Sequence, residues 1–84
     1  MIQSGIIELD LHNMNVEQAK NAIDKKLLSA SKSLYKIRLI HGFNGGTAIS
    51  QMIREEYSYG RHDKVIRITA GTNRGITELI LREL

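Results

Sequence analysis

The sequence predicts an α+β protein: a two-layer α/β sandwich of order βαβαββ, with a mixed four-stranded sheet and both helices on one face. Three observations predict it. Short apolar runs of strand type recur along the chain. The segments between the first three runs carry apolar residues at helical spacing instead. The last two runs are separated by a turn too short to cross a sheet.

Residues 6–12 alternate. Leu9 and Leu11 face one way, and Glu8, Asp10 and His12 the other, as in a half-buried strand. "NMNVEQAKNAIDKKLLSA" then reads as a helix. Asn15 is an N-cap, and Gln18 three residues later completes a capping box. Val16, Ala19, Ile23, Leu27 and Ala30 form its apolar stripe, with Lys20, Lys25 and Lys26 off it. Residues 35–41 are a second strand. "GFNGGT" is a loop in which Thr47 caps a second helix, carrying Ile49, Met52, Ile53 and Tyr57 on one side and stopping near Gly60. Residues 64–69 are a third strand, "AGTNRG" a turn, and residues 76–81 a fourth strand. Helix is open to "TELILREL" on composition, but Gly75 and the short turn favour a hairpin. The helical connections make the first three strands parallel, and the short turn makes the fourth antiparallel.

A chain of 84 residues predicts one domain, 1–84, with a thin core. Its 42% hydrophobic and 25% charged residues suit a folded protein. There is no cysteine, which excludes disulfides and thiolate metal sites and permits a reducing compartment. No apolar stretch reaches the ~18 residues of a membrane span. The first residues lack the signal-peptide pattern. A soluble, cytoplasmic protein with no membrane partner is expected. The net charge of +3 leans toward an anionic partner, against the plain alternative of a mildly basic domain without one.

His12 and His41 both end strand-like runs. Parallel strands bring their C-terminal ends to one edge, where ligands of open α/β sheets bind. His12 and His41 should therefore be neighbours, although far apart in sequence. Asp10 and His12 share a strand face, and a carboxylate beside an imidazole fixes its tautomer and prepares it for proton transfer. "HGFNGGT" offers backbone N–H groups to a phosphate. Together they suggest phosphodiester chemistry. An isolated Asp-x-His is more often a structural pair, and glycine loops often serve only to turn. The loop is neither a Walker motif nor a dinucleotide fingerprint. His62, in "GRHDK", is expected to be solvated. The tyrosines and Phe43 are too scattered for a stacking platform. Two histidines and an aspartate could bind a metal, but the spacing is not that of a metal site, so neither metal nor cofactor is predicted.

"LDLH" after an opening strand, "HGFNGGTAI" further on and a closing "GITELIL" resemble the Smr (small MutS-related) domain over nearly the whole chain. Leu9, Asp10, Leu11 and His12 match the family's Leu-Asp-x-His motif. His41 and Gly42 match the start of its His-Gly-x-Gly motif. Asn13 stands where the family usually has glycine. Asn44 stands where the second glycine is expected, with Gly45 and Gly46 following. The resemblance implies a βαβαββ sandwich similar to the C-terminal domain of translation initiation factor three. It also implies nucleic-acid binding, cleavage of DNA or RNA tied to Leu-Asp-x-His, and DNA repair or stalled ribosomes as settings. The sequence carries neither an ATPase part nor the N-terminal extension of some members, so recruitment by a larger protein or the ribosome is expected.

The function predicted is a nucleic-acid-binding domain with endonuclease activity. Asp10 would orient His12, and His12 would transfer a proton. His41 would supply a second proton-transfer group or bind phosphate. Gly42, Gly45, Gly46 and Thr47 would hold the phosphate, with Arg38, Arg67 and Arg74 as further contacts. RNA supplies its own 2′-OH nucleophile and needs no metal, whereas DNA needs water and brings in a divalent ion. A non-catalytic adaptor that docks nucleic acid or ribosome is the alternative. A phosphate-ester enzyme for a small metabolite is a third reading.

Overall fold

The computed structural model describes residues 5–42, 47–71 and 73–82. The elements are β1 (Ile6–Asp10), α1 (Val16–Ser29), β2 (Lys36–Ile40), α2 (Ala48–Tyr57), β3 (Arg67–Ala70) and β4 (Ile76–Ile80). The sheet order is β1-β2-β4-β3. β1 pairs with β2 in parallel, and β4 runs antiparallel to both β2 and β3. The first three strands therefore point the same way, with β4 inserted between the second and third. Their C-terminal ends and the start of β4 share one edge.

Ala19, Ile23 and Leu27 of α1 and Met52, Ile53 and Tyr57 of α2 pack with Ile37, Leu39 and Leu79 of the sheet. Both helices thus cover one face, as right-handed crossovers between parallel strands require. The capping box is present. Gln18 N–H donates to Asn15 Oδ1 at 2.7 Å, and Asn15 N–H to Gln18 Oε1 at 3.0 Å. The Tyr57 hydroxyl donates to Asp24 Oδ1 at 2.5 Å and ties α2 to α1.

Glu8, Arg38, Glu78 and Thr69 lie side by side across the uncovered face. Arg38 donates to Glu78 at 3.1 Å and to Glu8 at 3.3 Å, and Lys36 reaches Glu78 at 3.2 Å. Glu78 is 8% exposed. A carboxylate that deep is tolerable only when paired, and these cations supply the pairing.

Some element ends move. Regular pairing in the first strand ends at Asp10, although Leu11 N–H still reaches the Ile40 carbonyl at 2.7 Å. The third strand begins at Arg67, because residues 62–65 first close a turn with a His62–Val65 bridge. Helix α2 stops at Tyr57, and Gly60 follows at φ 81°. Val16, the first residue of α1, is 38% exposed and stands outside the buried stripe of Ala19, Ile23 and Leu27. Thr47 holds the N-cap position of α2 without a side-chain cap. Its φ of −114° and ψ of 9° differ from the extended backbone such a bond uses. His62 is not merely solvated. Its ring lies 5.6 Å from that of Tyr57, and its Nδ1 accepts the Lys64 N–H at 3.1 Å.

Candidate active site

The first motif turns sharply after β1. Leu11 is fully buried and anchors the turn, while the Asp10 and His12 side chains stay 55% and 58% exposed. Asp10 Oδ1 contacts His12 Nδ1 and also accepts the His12 backbone N–H at 3.1 Å. The hydrogen bond from the His12 ring, aided by the backbone N–H, holds the Asp10 carboxyl below its usual range. With Nδ1–H given to the carboxylate, a neutral ring presents Nε2 as a base. Asn13 follows at φ 70°. Asparagine is among the few side chains tolerated there, which explains its place at a position the family fills with glycine.

The second motif reaches the same edge. A Cβ on Gly42 would stand 4.0 Å from the His12 Cβ, so the two histidine motifs are neighbours. His41 is held at both ring nitrogens. Nδ1–H donates to the Gly42 carbonyl at 2.8 Å, and Nε2 is hydrogen-bonded to the Thr77 hydroxyl at 2.9 Å. The backbone N–H groups of His41 and Gly42 both reach the Gly75 carbonyl, at 2.9 and 3.0 Å. The Gly42 N–H expected to cradle a phosphate is thus spent on the β3–β4 turn, because an interior backbone donor must find a partner. Gly45 and Gly46 lie outside the described residues.

A cleft of about 560 Å³ opens beside His41 and Gly42, between α2 and the β3–β4 hairpin. Thr47 and Arg74, both predicted contacts, line it, as do Arg54, Asn73 and Thr77. Asp10 and His12 stand outside it, across Gly42. Arg38 lies on the open face, as the alternation requires, but its guanidinium is held by Glu78 and Glu8. A phosphate there would compete with two carboxylates. Arg67 is exposed on β3 and registers with Ile80. Among the described residues no group of three or more His, Cys, Asp or Glu is placed to hold a metal, and no helix is long and apolar enough to cross a membrane.

Sequence reasoning missed Thr77, Arg54 and Gly75. Thr77 carried a usable signal. It shares a strand face with Leu79, which is fully buried, and a polar residue on a covered face needs a hydrogen-bond partner.

The architecture and the two edge motifs define a two-layer α+β domain with its polar site beyond the strand ends. The Smr domain family model matches residues 9–76, and the chain belongs to that family. The crystal structure of the Smr domain of Thermus thermophilus MutS2 is similar in fold, with a TM-score of 0.76 and 31% identity. The match covers 90% of this chain and 98% of that one. A search of curated proteins finds no match.

Proposed function

We propose that this Smr domain binds nucleic acid and cleaves its phosphodiester backbone. The observation that carries the reading is the Asp10–His12 dyad, solvent-facing at the sheet edge and adjacent to Gly42. An imidazole oriented by a carboxylate and open to solvent is equipped for proton transfer. On RNA, His12 Nε2 takes the 2′-OH proton while the 2′-oxygen bonds to phosphorus. The P–O5′ bond breaks, and the departing 5′-oxygen takes a proton from water or a second acid. The products are a 2′,3′-cyclic phosphate and a 5′-hydroxyl end. On DNA a water attacks instead, and a divalent ion would help to activate it.

His41 serves as that second acid or as a phosphate ligand only after releasing Thr77. Thr47 and Arg74 are the first-choice phosphate contacts, with Gly45, Gly46 and Arg67 as further ones. Arg38 ranks behind them because of its ion pairs. The basic net charge supports attraction to a polyanion. A larger protein or the ribosome would bring the substrate, in the cytoplasm. The occupied ring of His41 favours one second reading, an adaptor that docks nucleic acid without cutting.

Labelled RNA, single-stranded DNA and duplex DNA, incubated with the protein with and without magnesium, test this. Cleavage that disappears in His12→Ala while binding persists is expected. Binding without cleavage of any substrate selects the adaptor. Affinity that stays flat as salt rises counts against phosphate contacts altogether.

A further inference from the structure

The cleft has the make-up of a small-molecule site rather than of a flat phosphate-tracking surface. Its volume of about 560 Å³ lies within the usual range for ligand pockets. Ile68 and Ala70, on the sheet face that α2 covers, give it an apolar wall, and Arg54 and Arg74 line it as well. The hairpin that carries this wall is closely packed. A Cβ on Gly71 would come within 2.3 Å of the Ile76 side chain, so backbone and side chain are packed together there. The Gly75 carbonyl clamps the hairpin turn to His41 and Gly42, and Asn73 Oδ1 accepts the Gly75 N–H at 2.8 Å. Arg74 thus stands on a turn braced from both sides. The Arg54 guanidinium has one hydrogen bond among the described residues, to Ser50 at 3.4 Å, and no carboxylate partner there. This contrasts with Arg38 on the open face.

Gly42 lines the cleft, and a Cβ on it would stand 4.0 Å from the His12 Cβ, so cleft and dyad are neighbours. We propose that the cleft holds one unstacked nucleotide of a bound strand, its base against Ile68 and Ala70, its phosphate met by Arg54 and Arg74, while the adjoining phosphate lies at the Asp10–His12 dyad. The proposal rests on the nucleic-acid reading above and adds the form of the substrate: a single strand, loop or frayed end. A base inside a duplex must be unstacked first, which costs a few kcal/mol. Each 1.4 kcal/mol is tenfold in affinity, so a single strand should bind at least about tenfold more tightly than the blunt duplex of the same sequence.

The test uses the ¹⁵N-labelled chain titrated with adenosine 5′-monophosphate, with inorganic phosphate, with a short single strand of RNA and with its blunt duplex. The nucleotide and the single strand should both shift the amides of Ser50, Ala70 and Thr77, and the strand should bind more tightly than the free nucleotide. Arg54→Ala, at an exposed position that does not threaten the fold, should weaken the single strand about tenfold. Thr77→Val should weaken it as well. Three results overturn the proposal. One is a strand that binds with these amides unmoved and both variants unaffected. Another is inorganic phosphate reproducing the nucleotide's shifts, which makes the cleft an anion site only. The last is a free nucleotide that outbinds the strand. A chain that binds no strand in any form overturns the nucleic-acid reading itself, whereas one that binds strands elsewhere overturns only this proposal.

Discussion

Gly42 faces His12 at ordinary van der Waals range, 4.0 Å from the His12 Cβ to the place a Cβ would occupy, and it holds a left-handed φ of 74°. Space is therefore not what requires glycine there; the backbone is. Gly42→Ala should destabilise the fold by about 1–2 kcal/mol. Urea denaturation checks this, with a lower midpoint at unchanged slope. An unchanged midpoint would mean that the left-handed turn is absent in solution.

His12→Ala should leave the melting temperature nearly unchanged, because the side chain is more than half exposed and supports no core contact. Cleavage should fall by ~10²–10⁴. Asp10→Asn should cost the same or less, since it orients the ring without itself meeting the substrate. A folded His12→Ala protein that cuts at the original rate would assign the activity to another residue.

The Asp10 carboxyl is held below its ordinary value of 3.8, chiefly by the His12 ring. A lowered folded value means that the pairing stabilises the fold above the unfolded pKa and is lost as pH falls through the folded one. Carboxyl NMR should place the Asp10 midpoint under 3.8 in the native protein and return it toward that value in His12→Ala. An identical midpoint in both proteins would show that the dyad does not form.

Glu78 has the same sign with a different balance. Burial pushes its carboxyl up, but Arg38 and Lys36 outweigh burial and bring it below 4.5. Glu78→Gln should cost about 1–3 kcal/mol at neutral pH, the worth of hydrogen bonds to charged groups. The gap to the native protein should close as pH falls through the folded value of Glu78. Arg38→Glu should also destabilise the sheet, by placing a third carboxylate between Glu8 and Glu78. Weaker nucleic-acid binding by that variant must therefore be read beside its stability.

The Tyr57 phenol is pushed upward by burial first and by Asp24 second, so it remains a donor at any ordinary pH. Tyr57→Phe removes the bond to Asp24 and should cost about 0.5–1.5 kcal/mol. Thermal melting beside the native protein measures it. No loss would show that Lys20, 2.9 Å from Asp24, satisfies that carboxylate unaided.

Much of the fold was legible because its signals are local. The Asn15 cap, the Ala19–Ile23–Leu27 stripe and the alternation through Ile37 and Leu39 each depend on residues a few positions apart. The motifs at Asp10, His12 and His41 were legible as residue types, and the parallel order of β1 and β2 was enough to bring them to one edge. The expected Gly42 donor failed for the opposite reason. Its fate depends on the Gly75 carbonyl, in the turn before β4, a strand that enters the sheet beside β2 only after the rest of the chain has crossed.

The sequence by itself determined the elements, their order, the covered face of the first strand and the placing of both histidine motifs at the strand ends. Periodicity and caps act over one or two turns, and parallel pairing follows from helical connections. Only the tertiary structure decided which polar groups remain available. It gave Arg38 to Glu78, His41 to Thr77 and the Gly42 N–H to Gly75, and it set Arg54 and Arg74 around a common cleft. Hydrogen bonds and ion pairs are settled by distances of about 3 Å between residues far apart in the chain, and no local pattern encodes those distances.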